Sequence, residues 1–421
     1  MSSLLIHDME PAWASLAPAL LQTATDAAVF VAGTASMRLT AQPLATNAVA
    51  EFVPGAALNL NNFDELRFWV RASQAADGTT ARPFFLEFSY LDAGDLPGEE
   101  HRWFVPVNTP DRWEQRRIGI EQDRRTQITS LRFRCLTDLP FVCRVDELLA
   151  VREEVLVDVE TALAALLDEQ LTLPGLVNLP LSQPANANDT QIVLPLTRDL
   201  AAGMRVRITG GSAGVETHHV IGVAHNTGAN TTTLTFAAGD ALAGNLAVAT
   251  AAVTVLVPLF FESPPAVSAP PPPAPSIAAA VVDFREDLDR TGYYTQRDSF
   301  RPRGAVNVCS VRPAARAYLV DYQLTALAPL RVQQRLIQTL LAQRLSVDVP
   351  LRINGAHAPV AILPPPDIQR RRLDEIAPLY VRVGTRMEVA QRREQTLALH
   401  AEVWGAPKDA PLDQEGIVIV L

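Results

Sequence analysis

Cysteine is nearly absent from this chain: Cys135, Cys143 and Cys309 are the three in 421 residues. An odd, sparse set at these spacings gives neither a disulfide framework nor a zinc site, although Cys135 and Cys143 lie on what read as successive strands. Lysine is scarcer still, for Lys408 is the single one among 36 basic residues. Against 46 acidic residues the formal charge is −10. A nucleic-acid binder needs a basic face to neutralise phosphates, so sequence recognition of nucleic acid is excluded. Long apolar runs are missing too. The longest, residues 247–261, is interrupted by threonines and Pro258 and alternates like a strand, so no membrane span is expected. The opening MSSLLIHDMEPAW has no basic stretch ahead of an apolar run, and the expectation is a soluble chain made in a reducing cytoplasm.

Catalytic signatures are lacking as well. There is no G-x-S-x-G, no H-E-x-x-H, no Walker loop and no dinucleotide fingerprint. None of the seven histidines sits near a cysteine or serine in a nucleophile context. The pairs Glu99–Glu100, Glu153–Glu154 and Asp374–Glu375 read as ordinary surface carboxylates. The expectation is a protein that is not an enzyme, with no cofactor.

Present in quantity are apolar residues, 48% of the chain, and 32 prolines. The first 150 residues read as β throughout. In LRFWVRA, Leu66, Phe68 and Val70 face one way and Arg67, Trp69 and Arg71 the other; PFFLEFSYL puts Phe84, Leu86, Phe88 and Tyr90 on one face. RWFVPV, WEQRRIGI, ITSLRFRCL and FVCRVDELLA follow between short turns, the pattern of a β-sandwich.

The order IHDMEPAWA, GTASMRLTA, FDELRFWVRA, DRWEQRRIGI, ITSLRFRC and CRVDELLAV resembles the jelly-roll sandwiches of carbohydrate-binding modules over residues 1–150. The resemblance implies surface glycans as partners, with Trp69 and Trp103 as the aromatics that would stack on sugar rings. It also implies a structural calcium, for which Asp8, Glu10 and Asp146 are the acidic positions. For Trp69 the plainer reading is packing under a loop or against a neighbour.

Residues 151–171, VREEVLVDVETALAALLDEQL, predict an amphipathic helix with Leu156, Val159, Leu163 and Leu166 on its apolar side. From 173 to 261 short strands alternate with Gly, Asn and Asp turns, a texture similar to small β-modules of phage tails and baseplates. In VETHHVIGV, His218 and His219 point to opposite faces, so both cannot bind one ion. Glu216 and His218 share a face, with His225 as a possible third ligand, but a solvated strand face is the expectation. TGGSAG lacks the lysine and following helix of a phosphate loop and reads as a hairpin turn.

A proline-rich linker at 262–276 leads to an α+β segment, 277–405, and a C-terminal arm, 406–421. ARAYLVDYQLTAL alternates Tyr318, Val320, Tyr322 and Leu324; PLRVQQRLIQTLLAQRL follows as a helix with Pro329 at its first position. Its expected core stripe is Val332, Leu336, Ile337, Leu340, Leu341 and Leu345. YLVDYQLTALAPLRVQQRLIQTLLAQRL is similar to the strand–helix passage of tail-terminator or cap proteins of phage tails and contractile injection systems. That resemblance implies a structural virion protein, assembled in the host cytoplasm: a neck, terminator or cap subunit forming a homo-oligomeric ring with other tail, sheath or neck proteins. It makes the 151–172 helix part of the C-terminal domain and 173–261 an insertion. Arg370, Arg371, Arg372, Arg392 and Arg393 are then candidates for ion pairs between subunits, and EGIVIVL for strand addition to a neighbour. The alternative is a carbohydrate-binding adhesin or a baseplate or fibre-attachment protein. The fold class expected is multidomain and mainly β: a jelly-roll sandwich, a small inserted β-domain and an α+β domain.

Overall fold

Two-residue alternation organises the first sheet. In the strand Glu65–Ala72 the side chains of Leu66, Phe68, Val70 and Ala72 enter one core, as the pleat of a strand requires. The computed structural model describes residues 3–75, 85–96, 100–121, 123–261, 274–291, 295–303, 306–346, 351–364, 377–387 and 393–396. The first sheet runs Leu21–Asp26, Ser36–Ala41, Phe141–Val151, Glu65–Ala72, Glu114–Gly119, with Ser3–His7 paired to the end of Phe141–Val151. The second runs Ala14–Ser15, Val49–Phe52, Ile128–Cys135, Leu86–Asp92, His101–Phe104. Between them Phe133 sits with its ring centroid 5.0 Å from Trp13, 5.5 Å from Phe68 and 5.3 Å from Phe88. This is a jelly-roll sandwich in a mainly β, multidomain chain. Cys135, Cys143 and Cys309 are free and buried, and burial pushes the Cys135 thiol up to about 12.

The second sheet does not end at His101–Phe104. A hairpin from far along the chain, Thr295–Arg303 with Val306–Pro313, continues it, and Arg393–Thr396 adds one more strand. Phe300 pairs across the seam with Phe104. Two ion pairs brace the junction. Arg301 Nη1 lies 3.0 Å from Asp123 Oδ1, and Arg312 Nη1 lies 2.7 Å from Glu65 Oε1. Arg312 is 1% exposed, so this pair is held out of water, where losing either partner strands the other charge.

Helix α1 (Val155–Leu167) is shorter than the 151–171 pattern, because Val151 is held in the ladder by Ser3 and Glu65. Its buried stripe is Val155, Val159, Ala162, Leu163 and Leu167, while Leu156 is exposed. Asp158 satisfies its first turn, taking the Glu154 N–H at 3.1 Å. That stripe shares one core with Tyr322, Val381 and Val383 of the C-terminal sheet and with Val206 and Leu234 of the intervening segment. The intervening segment holds six strands in the order Leu179–Pro180, Ala252–Leu256, Arg205–Gly211, Gly214–Asn226, Thr231–Phe236, Gln191–Pro195. Gly214–Asn226 bends and serves two partners in turn.

The strand before the proline run, Leu259–Phe261, pairs in parallel with the strand after it, Ser276–Glu286. The run therefore begins and ends at neighbouring strands of one sheet, and the second strand starts at Ser276, within the span expected to be linker. That sheet continues through Arg316–Leu327, Leu379–Met387 and Val360–Leu363. Helix α2 (Arg331–Arg344) starts two residues beyond Pro329 and buries Gln333, Ile337 and Leu341. Val332 is 76% exposed. Gln333 takes the inward position instead, its Nε2 donating to the Asp199 carbonyl at 3.1 Å.

Candidate functional site

Strand pairing decides which residues share the outer face of the second sheet. Directly opposed residues point the same way, and the register gives one row, Glu51, Arg132, Ser89 and Arg102, and a second, Val49, Arg134, Glu87 and Phe104. Across the seam Phe300 extends the second row. Residues one step along, Phe88, Tyr90, Trp103 and Phe133, fill the core.

The rows form a polar face over an apolar sheet. Arg132 reaches Glu51 at 2.7 Å and Glu100 at 2.6 Å. Glu100 also meets Arg134 at 3.1 Å and Arg102 at 3.0 Å, so one carboxylate bridges three guanidiniums. Beneath them Ser89 is 0% exposed, and Glu87 and Ser130 are buried. Among the described residues Ser89 Oγ and Ser130 Oγ have no hydrogen-bond partner, and Glu87 Oε1 has only Arg134 Nε at 3.6 Å. Burial raises the Glu87 carboxyl above its ordinary value despite Arg134 and Arg102 beside it. At the edge, Phe104 and Phe300 are half-buried. A face of Arg and Glu side chains next to aromatic rings suits a polyhydroxylated ligand.

The residues that the sequence singled out fall elsewhere. Trp103 is 0% exposed, packed in the core beside Tyr90 at 5.4 Å, and offers no face to a sugar. Its neighbour Phe104 is the outward residue. Trp69 is half-buried under the turn of the hairpin Leu351–Ile353/Ala356–Ala358, its Nε1 donating to the Gly355 carbonyl at 3.3 Å. Asp8, Glu10 and Asp146 do not form a calcium cage. Asp146 accepts the Val31 and Ala32 amides and Glu10 the Thr34 amide, so both staple the same loop. Asp8 is half-exposed and caps its own turn through the Glu10 N–H. Among the described residues no group of three or more such side chains is placed to hold a metal ion. Arg370, Arg371, Arg372 and Arg392 lie outside the described residues; Arg393 is placed by its backbone, opposite Val311.

Other acids and histidines gained partners the sequence did not announce. Glu100 and Glu153, read as surface, have side chains 12% exposed and in ion pairs. Glu216 and His218 are buried rather than solvated: His218 Nε2 lies 3.1 Å from Glu216 Oε2 and Nδ1 3.1 Å from Asp240 Oδ1. His225 bonds Thr232 instead. His101 lies 3.2 Å from Asp95 and 3.1 Å from Asp123. Glu216 and His218 sit two apart on one strand, as alternation indicates; sequence distance hid the other pairings, which only the fold brings together.

The chain matches no protein-family model and no curated protein. Among solved structures it is similar to a family 30 carbohydrate-binding module, at 14% identity over 36% of this chain and 89% of that one, with a TM-score of 0.30. It is also similar to the family 11 module from Clostridium thermocellum in complex with a β-1,3-1,4-mixed-linked tetrasaccharide, at 12% identity over 36% of this chain and 96% of that one, with a TM-score of 0.28. An exo-β-agarase gives 7% identity over 36% of this chain and 25% of that one, with a TM-score of 0.29. The sandwich is defined here by its own strand pairing.

Proposed function

We propose that this protein is a non-catalytic glycan-binding subunit, and that it holds saccharide on the outer face of the second sheet. The observation that carries this reading is the polar face of Glu51, Glu100, Arg102, Arg132 and Arg134 beside the half-buried rings of Phe104 and Phe300. Sugar hydroxyls would bond to its guanidiniums and carboxylates, and the rings of Phe104 and Phe300 would pack on a pyranose face. The jelly-roll resemblance of residues 1–150 supports the same class of ligand. Screening the full chain on a glycan array tests this: binding should appear for a defined set of saccharides and fall at least about tenfold in Phe104→Ala and in Arg132→Gln. Absence of any saccharide binding, or binding untouched by both substitutions, would refute it.

A second reading concerns where such a subunit works. Arg316–Leu327 lies between Ser276–Glu286 and Leu379–Met387, and α2 follows it and packs on it. This strand–helix unit underlies the likeness to tail-terminator proteins and supports a ring-forming virion protein with the sandwich as its decoration. Negative-stain images of the purified protein should then show closed rings; a monomer at high concentration would argue against that assembly.

A further inference from the structure

A cleft of about 320 Å³ opens where the first sheet, the hairpin Leu351–Ile353/Ala356–Ala358 and the C-terminal sheet meet. Small-molecule sites favour such junctions, and this volume stands at the lower end of their range of about 300–1,000 Å³. Part of the lining is aromatic and apolar. Tyr318 belongs to it, and its ring stacks on Phe284 with centroids 5.1 Å apart and planes 7° from parallel. Phe284 is 44% exposed, so this stack stands at the surface and not in the core. Ile353 and Pro359 extend the apolar part.

The same lining carries side chains of both charge signs, matched into pairs. Arg67 bonds Glu153, and Arg290 Nε lies 3.5 Å from Asp287 Oδ2. The second pair is longer than a closed N–H···O bond of about 2.7–3.2 Å. A hydroxyl accepts from a guanidinium and donates to a carboxylate at once, so it enters such a pair without stranding either charge. A ligand ion would have to compete with one of the two partners. His357 and Arg386, both exposed, stand in the lining as well. A pyranose offers what this surface asks for: hydroxyls around its rim and an apolar C–H face for an aromatic ring.

We propose that this cleft is a second saccharide site, which takes a mono- or disaccharide with one ring against Tyr318 and hydroxyls on Asp287, Arg290, His357 and Arg386. For the class of ligand it rests on the glycan reading above. Its residues are not those of the outer face of the second sheet, so the two sites stand or fall separately. The open sheet face suits a chain of sugar units; the cleft holds a short saccharide.

The test is saturation-transfer NMR of the full chain with cellobiose, lactose and maltose, each titrated to a dissociation constant. At least one of the three should bind, and Phe104→Ala should still bind it. Arg386→Gln should weaken that binding about tenfold, the loss of one charge-assisted contact, and the double variant His357→Ala/Arg386→Gln should weaken it further. Both positions are exposed, so the melting temperature should stay close to that of the wild type. Loss of all disaccharide binding in Phe104→Ala would assign it to the outer face alone and overturn the cleft. Equal affinity in wild type and the double variant, or binding of none of the three sugars, would overturn it too. Failure of the outer face reads differently: glycan-array binding untouched by Phe104→Ala and Arg132→Gln, with disaccharide affinity still lost in the double variant.

Discussion

One residue step separates the core from the outer face of the second sheet at Trp103 and Phe104. Trp103→Ala should destabilise the fold by about 3–5 kcal/mol, as for other fully buried large side chains, read as a lowered melting temperature. Phe104→Ala should leave the melting temperature nearly intact and act on saccharide binding. A pair with the opposite pattern would place the face wrongly. His101 sets a pH dependence. Burial disfavours its charged ring, but the hydrogen bonds and charges of Asp123 and Asp95 outweigh burial and raise it above the ordinary 6.5. A raised folded value means that the stabilisation is complete below 6.5 and is lost as pH climbs through the folded value. Asp123 also holds Arg301 of the returning hairpin. Melting temperature should therefore fall as pH rises from the ordinary 6.5 through the raised folded value, and His101→Gln should flatten that fall; an identical slope in the variant would contradict the assignment. Alternation made the face of Leu66, Phe68 and Val70 legible in the sequence. It did not reveal whether Trp103 or Phe104 faced inward, because both are aromatic and the parity is set by Phe88 across the sheet.

At the scale of elements, the seam carries the argument. Glu65 answers two buried guanidiniums, Arg67 and Arg312. Glu65→Gln should cost about 3–5 kcal/mol, because two buried cations lose a shared counter-charge. The unfolding transition should broaden or split as the hairpin detaches from the sandwich; a sharp transition at the wild-type midpoint would show that the seam is not braced there. The turn at Gly355 is a second element-scale test. Its φ is +79°, and an added Cβ would lie 2.9 Å from Glu147 Oε2 and 3.1 Å from Leu149 Cδ1. Gly355→Ala should cost more than about 1 kcal/mol in stability and loosen the Asn354 amide from Asp158, now 2.8 Å apart. Both helices were legible from apolar spacing, with boundaries displaced where Val151 stays in its ladder and where α2 opens beyond Pro329. The hairpin Thr295–Pro313 was not legible as part of the sandwich. Nothing in its own residues states that its partner edge lies almost two hundred positions earlier.

For the whole molecule, the chain leaves the sandwich through α1, forms the intervening six-stranded sheet, crosses the proline run to an adjacent strand and returns to extend the sandwich it left. The proposed ligand face is completed only by that return, since Phe104 belongs to the first passage and Phe300 to the last. The most direct test is calorimetric titration of the saccharide selected on the array into wild type, Phe104→Ala and Phe300→Ala. Affinity should fall by about tenfold or more in both variants with melting temperatures close to wild type. Full affinity in Phe300→Ala alongside loss in Phe104→Ala would mean that the sandwich binds without the returning hairpin, and would contradict the account.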